Sequence, residues 1–312
     1  MRFVFFGTPE YVLPVLKTLA KELAPMGENP VEAVVTQPPR PSGRQQKLQY
    51  TPVDSWAHRR DVPIFHSPEQ FIKSGIKTDF AVLAAFGAIV PEKIISYFPK
   101  GILNVHPSLL PAYRGASPVQ AAIVADEKQT GVSIMKLDEK MDHGPIVSSF
   151  KEPVLPDDTT ESLRQRLFER SGEFLVELIP AYLSGKVKVA PQDHDKATYT
   201  TLIRKEHGFV PPKLLAGAIE GKVSEEEWEI GFVKGLTLKA SPENLMRFMR
   251  ATSPWPGVWT KVTLSETETK RLKILDAAIE GDRFVIKEVQ LEARNPVSWR
   301  QFTEGYPEAK FA

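Results

Sequence analysis

The sequence predicts an α/β domain followed by a smaller β-barrel. Three observations carry this. As far as about residue 184, short apolar runs alternate with helical stripes. From Gly185 onward the pattern changes to short strand-like runs separated by turn residues. The chain also has 312 residues, and at roughly 150 residues per domain that suggests two domains. The division read from the sequence is 1–184, a linker at 185–205, and 206–312.

Arg2–Phe6 reads as a buried strand, broken by Gly7-Thr8-Pro9. Thr8 and Pro9 suit a helix cap and first helical residue. Val12, Val15, Leu16, Leu19, Ala20 and Leu23 then form an amphipathic stripe. Val31–Thr36, Phe80–Phe86 and Gly101–His106 have strand length, and a helix opened by Pro91 separates the last two. Ser117–Ala125 reads as a helix, Gly131–Leu137 as a strand, and Thr160–Leu183 as a long helix. Such alternation predicts a parallel sheet covered on both faces, with its site beyond the carboxyl ends of the strands. Lys186–Thr201 mixes charge and Pro and reads as a linker. The short runs Trp228–Phe232, Thr237–Ala240, Val258–Leu264, Arg271–Ile279 and Arg283–Leu291 follow, interrupted by a helix at Pro242–Ala251; these predict the barrel.

Composition narrows the chemistry. The chain has no Cys, which removes disulfides, thiolate nucleophiles and cysteine metal sites. No apolar run reaches the roughly 18 residues of a membrane span. The net charge is +1, so bulk charge announces no nucleic acid. No phosphate-binding glycine motif or serine-hydrolase elbow is present. The six His lack metal-ligand spacing.

The densest chemical cluster is Asn104-Val105-His106-Pro107-Ser108-Leu109-Leu110-Pro111, continuing to Tyr113-Arg114-Gly115. It starts at the end of a predicted strand and enters a loop broken by Pro and Gly. Asn104 and His106 are two apart and share one face of an extended segment. Together an amide and an imidazole could grip a carbonyl oxygen that becomes negative. A lone His at a strand end is more often a satisfied core residue; its strand-end position and Asn104 argue for function. Asp138, Glu139 and Asp142 follow the next strand. A carboxylate there could orient the ring or relay a proton, although three acids in a loop also suit a solvated turn.

No acid lies between Glu32 and Asp54, while Arg40, Arg44 and Lys47 do. Three Pro and a Gly predict an irregular loop across Thr36–Leu48. Cations on it suit phosphate contacts, or simple solvation. The stretch 206–312 has no basic excess.

These residues resemble a known family. Phe6-Gly7-Thr8-Pro9-Glu10-Tyr11, Thr36-Gln37-Pro38 with Gly43-Arg44, Asn104-Val105-His106 with Ser108–Pro111, Tyr113–Gln120, and Met141-Asp142-His143-Gly144 are similar to the motifs of methionyl-tRNA formyltransferases, in the same order. Ala197-Thr198-Tyr199 and Pro254-Trp255-Pro256-Gly257 extend the likeness along nearly the whole chain. The Asn, His, Asp and SLLP set is shared across folate-dependent formyltransferases; the remaining motifs point to the tRNA branch. The chain departs from the usual family residues at Pro107 and His143.

The resemblance implies a Rossmann-like formyltransferase domain and an OB-like barrel. It implies transfer of the formyl group of 10-formyltetrahydrofolate to the α-amino group of methionine on initiator methionyl-tRNA. Asn104 and His106 would hold the formyl oxygen, with Asp142 pairing with His106 and assisting proton removal. Ser108, Leu109, Leu110 and Pro111 would line the folate site with Phe86, Gly87, Ile89 and Val90. Arg40, Gly43, Arg44 and Lys47 would meet the tRNA. A cytoplasmic monomer without metal or membrane is expected. The alternative is a formyltransferase for a sugar-nucleotide amine or another small amine.

Overall fold

Phe3, Val4, Phe5 and Phe6 are all fully buried. Successive side chains of a strand point to opposite faces, so this strand is covered on both sides. The computed structural model describes residues 1–24, 28–42 and 45–311. Contacts divide the chain into two units. The first comprises Met1–Arg114, Gln129–Pro153 and Arg164–Thr198, and the second Gly115–Lys128, Val154–Leu163 and Tyr199–Ala312.

In chain order the elements begin with β1 (Phe3–Gly7), α1 (Leu13–Glu22), β2 (Val31–Val35), β3 (Arg40–Ser42), β4 (Lys47–Gln49), α2 (Pro52–His58), β5 (Ile64–Phe65), α3 (Pro68–Lys73), β6 (Phe80–Ala84), α4 (Glu92–Ile95) and β7 (Ile102–His106). Next come β8 (Arg114–Gly115), α5 (Pro118–Val124), β9 (Gln129–Lys136), β10 (Ile146–Pro153) and α6 (Thr160–Leu183). The remainder are β11 (Tyr199–Thr200), α7 (Pro212–Ile219), β12 (Glu227–Glu229), β13 (Thr237–Lys239), α8 (Pro242–Thr252), β14 (Val258–Ser265), β15 (Glu268–Glu280), β16 (Arg283–Leu291), β17 (Val297–Ser298), α9 (Trp299–Gly305) and β18 (Lys310–Phe311).

The first unit holds a seven-stranded sheet in the order β10-β9-β7-β6-β1-β2-β5. Strands β7, β6, β1, β2 and β5 run parallel. The sheet is mixed rather than all-parallel, because β9 opposes β7 and β10 opposes β9. From Ser149 to Pro153, β10 alternates exposed positions with buried or partly buried ones, as an edge strand does. An antiparallel neighbour also needs no crossover helix. On one face Val4, Phe6, Ala81, Leu83 and Ile102 pack with Phe71, Ile94 and Phe98. Phe6 meets the edges of Phe71, Phe86 and Phe98 at 6.4, 5.5 and 6.1 Å between ring centres. Asn104 and His106 have the parity of Ile102 and continue its row towards the carboxyl end of β7.

Two local expectations are corrected. Thr8 caps no helix. A short turn at Glu10–Val12 precedes α1, and its cap, Pro9, makes no side-chain bond. Thr8 Oγ1 instead donates to the Phe86 carbonyl at 2.8 Å, satisfying an acceptor in the loop after β6. The Pro-rich segment after β2 is also not wholly irregular. β3 and β4 pair antiparallel, with Arg40 opposite Gln49 and Pro41 opposite Leu48. A two-stranded ribbon accepts Pro wherever its nitrogen is not required to donate.

The second unit contains a five-stranded antiparallel sheet, β17-β16-β15-β14-β18, and a separate β12–β13 pair. Its core alternates along the strands through Leu272, Ile274, Phe284, Ile286, Val289 and Leu291. Helix α8 is capped by Ser241, whose hydroxyl accepts from the Asn244 amide at 3.2 Å. It packs Phe248 on Trp228 at 4.5 Å between ring centres. No helix among the described residues is long and apolar enough to cross a membrane.

Candidate active site

The site is built on β7 and the loop between β9 and β10. Asn104 and His106 are 6% and 4% exposed. The loop folds back until one carboxylate oxygen, Asp142 Oδ1, is 3.4 Å from Asn104 Nδ2 and 3.5 Å from His106 Nδ1. Three residues singled out from the sequence, two of them 38 positions apart in the chain, thus converge on one oxygen.

The loop has the chemistry to make this turn. Asp142 adopts a left-handed backbone conformation, with φ 49°, which Asp tolerates better than most residues. Asp138 Oδ1 accepts from the Lys140 amide at 3.0 Å, a local turn of the kind Asp favours. Gly144 approaches Lys136 so closely that a Cβ would lie 1.9 Å from the Lys136 carbonyl oxygen. Only Gly allows that crossing.

His106 is held from its other side. Its Nε2 is 3.1 Å from the Tyr113 carbonyl. A carbonyl only accepts, so Nε2 carries the hydrogen. Nδ1 is then the nitrogen that faces Asp142.

The SLLP loop is braced by buried Ser residues. Ser133 Oγ donates to the Ser108 carbonyl at 2.8 Å and accepts from the Leu110 amide at 2.9 Å. Ser108 is fully buried, and its hydroxyl donates to the Ala112 carbonyl at 2.6 Å. Its side chain therefore serves the loop itself. Leu110 is buried, while Leu109 and Pro111 are partly exposed.

On the neighbouring rim, Phe86 and Val90 are buried, and Gly87, Ala88 and Ile89 are exposed, Ile89 by 88%. The Phe86 carbonyl accepts from both Thr8 Oγ1 and Gln37 Nε2, at 2.8 and 3.4 Å. Among the described residues, the backbone groups of Gly87, Ala88 and Ile89 bond no other group. This anchored loop therefore presents free donors and acceptors beside an apolar side chain. Such an edge can exchange hydrogen bonds with a polar ligand.

Arg40 and Lys47 are both exposed on the β3–β4 ribbon, with Leu48 and Tyr50 exposed beside them. Gly43 and Arg44 lie outside the described residues. Among the described residues, no cluster of three or more His, Asp or Glu could hold a metal ion.

Sequence reasoning missed a group behind Asp142. Gln192 is buried, and its Nε2 donates to the carbonyls of Asp142 and Gly144 at 2.9 and 2.7 Å. Its Oε1 accepts from Arg114 Nε and Nη2 at 3.1 and 2.6 Å. Arg114 Nη2 also donates to His194 Nδ1 at 2.8 Å. The His194 ring stacks on His143 at 3.9 Å and 5°, and His143 Nδ1 meets Asp138 at 2.7 Å. Desolvation, followed by the charges of His143, Arg114 and Lys140, holds the His194 imidazole below its ordinary pKa, and Asp138 opposes this. Arg114 stood inside a recognised motif, but Gln192 sits in a segment without periodicity, where no sequence signal marks a buried side chain.

The sequence profile described as formyl transferase matches residues 1–179. The methionyl-tRNA formyltransferase of Thermotoga maritima is 39% identical over 231 residues, covering 72% of this chain and 72% of its own length. That of Trichlorobacter lovleyi is 33% identical, covering 98% of this chain and 94% of its own length. Among solved structures, a methionyl-tRNA formyltransferase from Clostridium thermocellum superposes with TM-score 0.55 at 14% identity, covering 93% of this chain and 98% of its own. WlaRD, a sugar 3N-formyl transferase crystallised with dTDP and 5-N-formyl-THF, does so with TM-score 0.59 at 15% identity, covering 95% and 99%. At such identities the structural likeness shows the fold.

Proposed function

We propose a residue-level mechanism from one premise: the chain belongs to the methionyl-tRNA formyltransferase family. It is an enzyme that transfers a formyl group to the α-amino group of methionine on initiator methionyl-tRNA, a step of translation initiation. The donor, 10-formyltetrahydrofolate, supplies the formyl group. The observation that carries the residue assignment is the convergence of Asn104 and His106 on Asp142 Oδ1.

The attacking group is the amine of the acceptor, so no acyl-enzyme is needed. The chain orients two substrates and stabilises the oxygen that gains negative charge. Asn104 Nδ2–H and the His106 ring hold that oxygen. Both are buried, so water screens them little. With the Nε2 hydrogen committed to Tyr113, the His106 ring bonds that oxygen through Nδ1, which must carry a second ring hydrogen to do so. The amine nitrogen bonds the formyl carbon and the bond from that carbon to N10 of the folate breaks; Asp142 accepts the proton that the amine gives up, directly or through His106, and the departing N10 takes up a proton in its place.

Ser108, Leu109, Leu110 and Pro111 shape one wall for the folate, and Phe86, Gly87, Ile89 and Val90 offer the other. The free backbone edge of Gly87–Ile89 supports this, because a pterin ring presents both donors and acceptors. Arg40, Gly43, Arg44 and Lys47 grip the acceptor end of the tRNA. Residues 1–184 carry the chemistry, 185–205 connect, and 206–312 form an OB-like domain; its five-stranded antiparallel sheet supports that reading. The enzyme acts as a cytoplasmic monomer.

The test offers 10-formyltetrahydrofolate with charged initiator tRNA, a sugar-nucleotide amine or glycinamide ribonucleotide. Formylation of the tRNA, with no turnover of the small amines, is the expected result. Preferential formylation of a sugar amine would replace the tRNA with that acceptor.

A further inference from the structure

We propose that Gln192 is a positioning residue for the transfer reaction. It fixes the backbone on either side of the catalytic loop's His143, and so sets where the Asp142 carboxylate stands. This rests on the reading of Asp142 as a proton acceptor.

The hydrogen bonds assign the Gln192 amide without ambiguity. Arg114 has only donors, and the carbonyls of Asp142 and Gly144 only accept. Oε1 must therefore face Arg114, and the NH2 group must face the loop. All four bonds are made between buried or part-buried groups, where a missing partner is costly. Two carbonyls of one short loop are tied to a single rigid plane. Arg114 is itself 2% exposed, and its fork onto Oε1 fixes the tilt of that plane. Its own backbone amide donates to the Thr198 carbonyl at 2.9 Å.

The segment that carries Gln192 is held independently. Ile146 and Ala190 exchange backbone bonds at 2.8 and 2.9 Å, two residues before Gln192 and directly after the catalytic loop. Gln192 thus enters from a strand-like pairing rather than from a free connection. Asp142 sits at positive φ, a conformation that neighbouring contacts must maintain. One Gln192 bond holds the carbonyl of Asp142 itself, and the other holds that of Gly144 two residues on. No other neutral side chain of this length offers two donors and an acceptor. Glu keeps the shape and the attraction to Arg114, but it turns a pair of donors into a carboxylate facing two carbonyl oxygens.

The test is a double-mutant cycle on the full chain: wild type, Gln192→Glu, Asp142→Asn and the double variant. Each is assayed for kcat and KM with 10-formyltetrahydrofolate and charged initiator tRNA, and for binding of a non-reacting folate analogue. Gln192→Glu should lower kcat about 10- to 100-fold, since a misplacement of about 1 Å can cost on the order of 100-fold. KM and folate-analogue binding should move by no more than about twofold. In the Asp142→Asn background the same change should cost less than about twofold, because residues that act through one another are not additive. Gln192→Met, which removes the polar ends at similar length, takes the same place in the cycle if the Glu variant does not fold. An unchanged kcat with a lowered melting temperature would make Gln192 a structural brace and overturn the proposal. An equal loss in both backgrounds would also overturn it. Asp142→Asn at the wild-type rate would instead remove the catalytic reading of Asp142, and with it this role for Gln192. The single variant reports that outcome separately.

Discussion

The Nε2 of His106 lies 3.1 Å from the carbonyl of Tyr113, so one ring nitrogen is spent on the loop that follows its own strand. This divides the imidazole into an anchored side and a working side. His106→Gln can still offer an amide towards Tyr113, but it presents nothing comparable at the position of Nδ1. A loss of kcat of about 100- to 1000-fold is expected, the usual scale for one oxyanion donor. Asn104→Ala should lose rate on the same scale. Steady-state kinetics beside a folate-analogue titration check both, and near-wild-type turnover with intact folding would dismiss the assignment.

Ser133 joins two backbone groups of the SLLP loop inside the protein, at 2.8 and 2.9 Å. Ser133→Ala leaves a buried amide and a buried carbonyl without that hydroxyl. The expected destabilisation is about 1–3 kcal/mol, read from urea denaturation. A midpoint identical to wild type would show that the loop does not depend on this bridge.

The stretch around Arg44 holds cations and no acid. Arg44→Leu should lower kcat/KM for charged initiator tRNA strongly while leaving folate-analogue binding within about 1 kcal/mol, as for a substitution that takes no part in folate binding. Arg44→Lys should recover only part, because Lys cannot fork onto a phosphate or base edge. Arg40→Ala and Lys47→Ala should each flatten the dependence of tRNA affinity on salt, since each phosphate contact releases counterions. Wild-type formylation by Arg44→Leu would reduce this segment to a solvated connection.

His194 supplies a pH signature. Desolvation and then the nearby positive charges depress its folded-state pKa below the ordinary 6.5. The unfolded chain therefore binds the proton more readily, so stability is full above about pH 6.5 and falls as pH drops through the lowered folded value. Melting temperature should decline below that pH in the wild type. It should decline less over the same window in His194→Asn, which keeps an acceptor for Arg114 but does not titrate. Identical pH slopes would place the titration on another group.

The parts of this fold that were legible share a simple cause. Val4 and Phe6, Ala81 and Leu83, and Ile102 are apolar because helices cover them, and that pressure writes a strand into the sequence. Asn104 and His106 stood out because polar groups ended such a run. β10 escaped notice because an edge strand with the sequence Ile146–Pro153 buries only some of its side chains. The β3–β4 ribbon escaped because its Pro residues argue against strands, although a ribbon of two needs few donors. Gln192 was hidden for another reason. Its burial depends on a bridge between Ile146 and Ala190, and no local pattern around it encodes that meeting.

The convergence of Asn104, His106 and Asp142 is tested most directly by single-turnover formylation of charged initiator tRNA with wild type and Asp142→Asn, at saturating 10-formyltetrahydrofolate. The substitution keeps the size of the side chain and removes its charge. A fall of at least about 100-fold in the transfer rate, with tRNA and folate-analogue binding retained, is predicted for a group that acts in proton transfer. Transfer at the wild-type rate would contradict it, and would leave Asp142 as a residue of the turn.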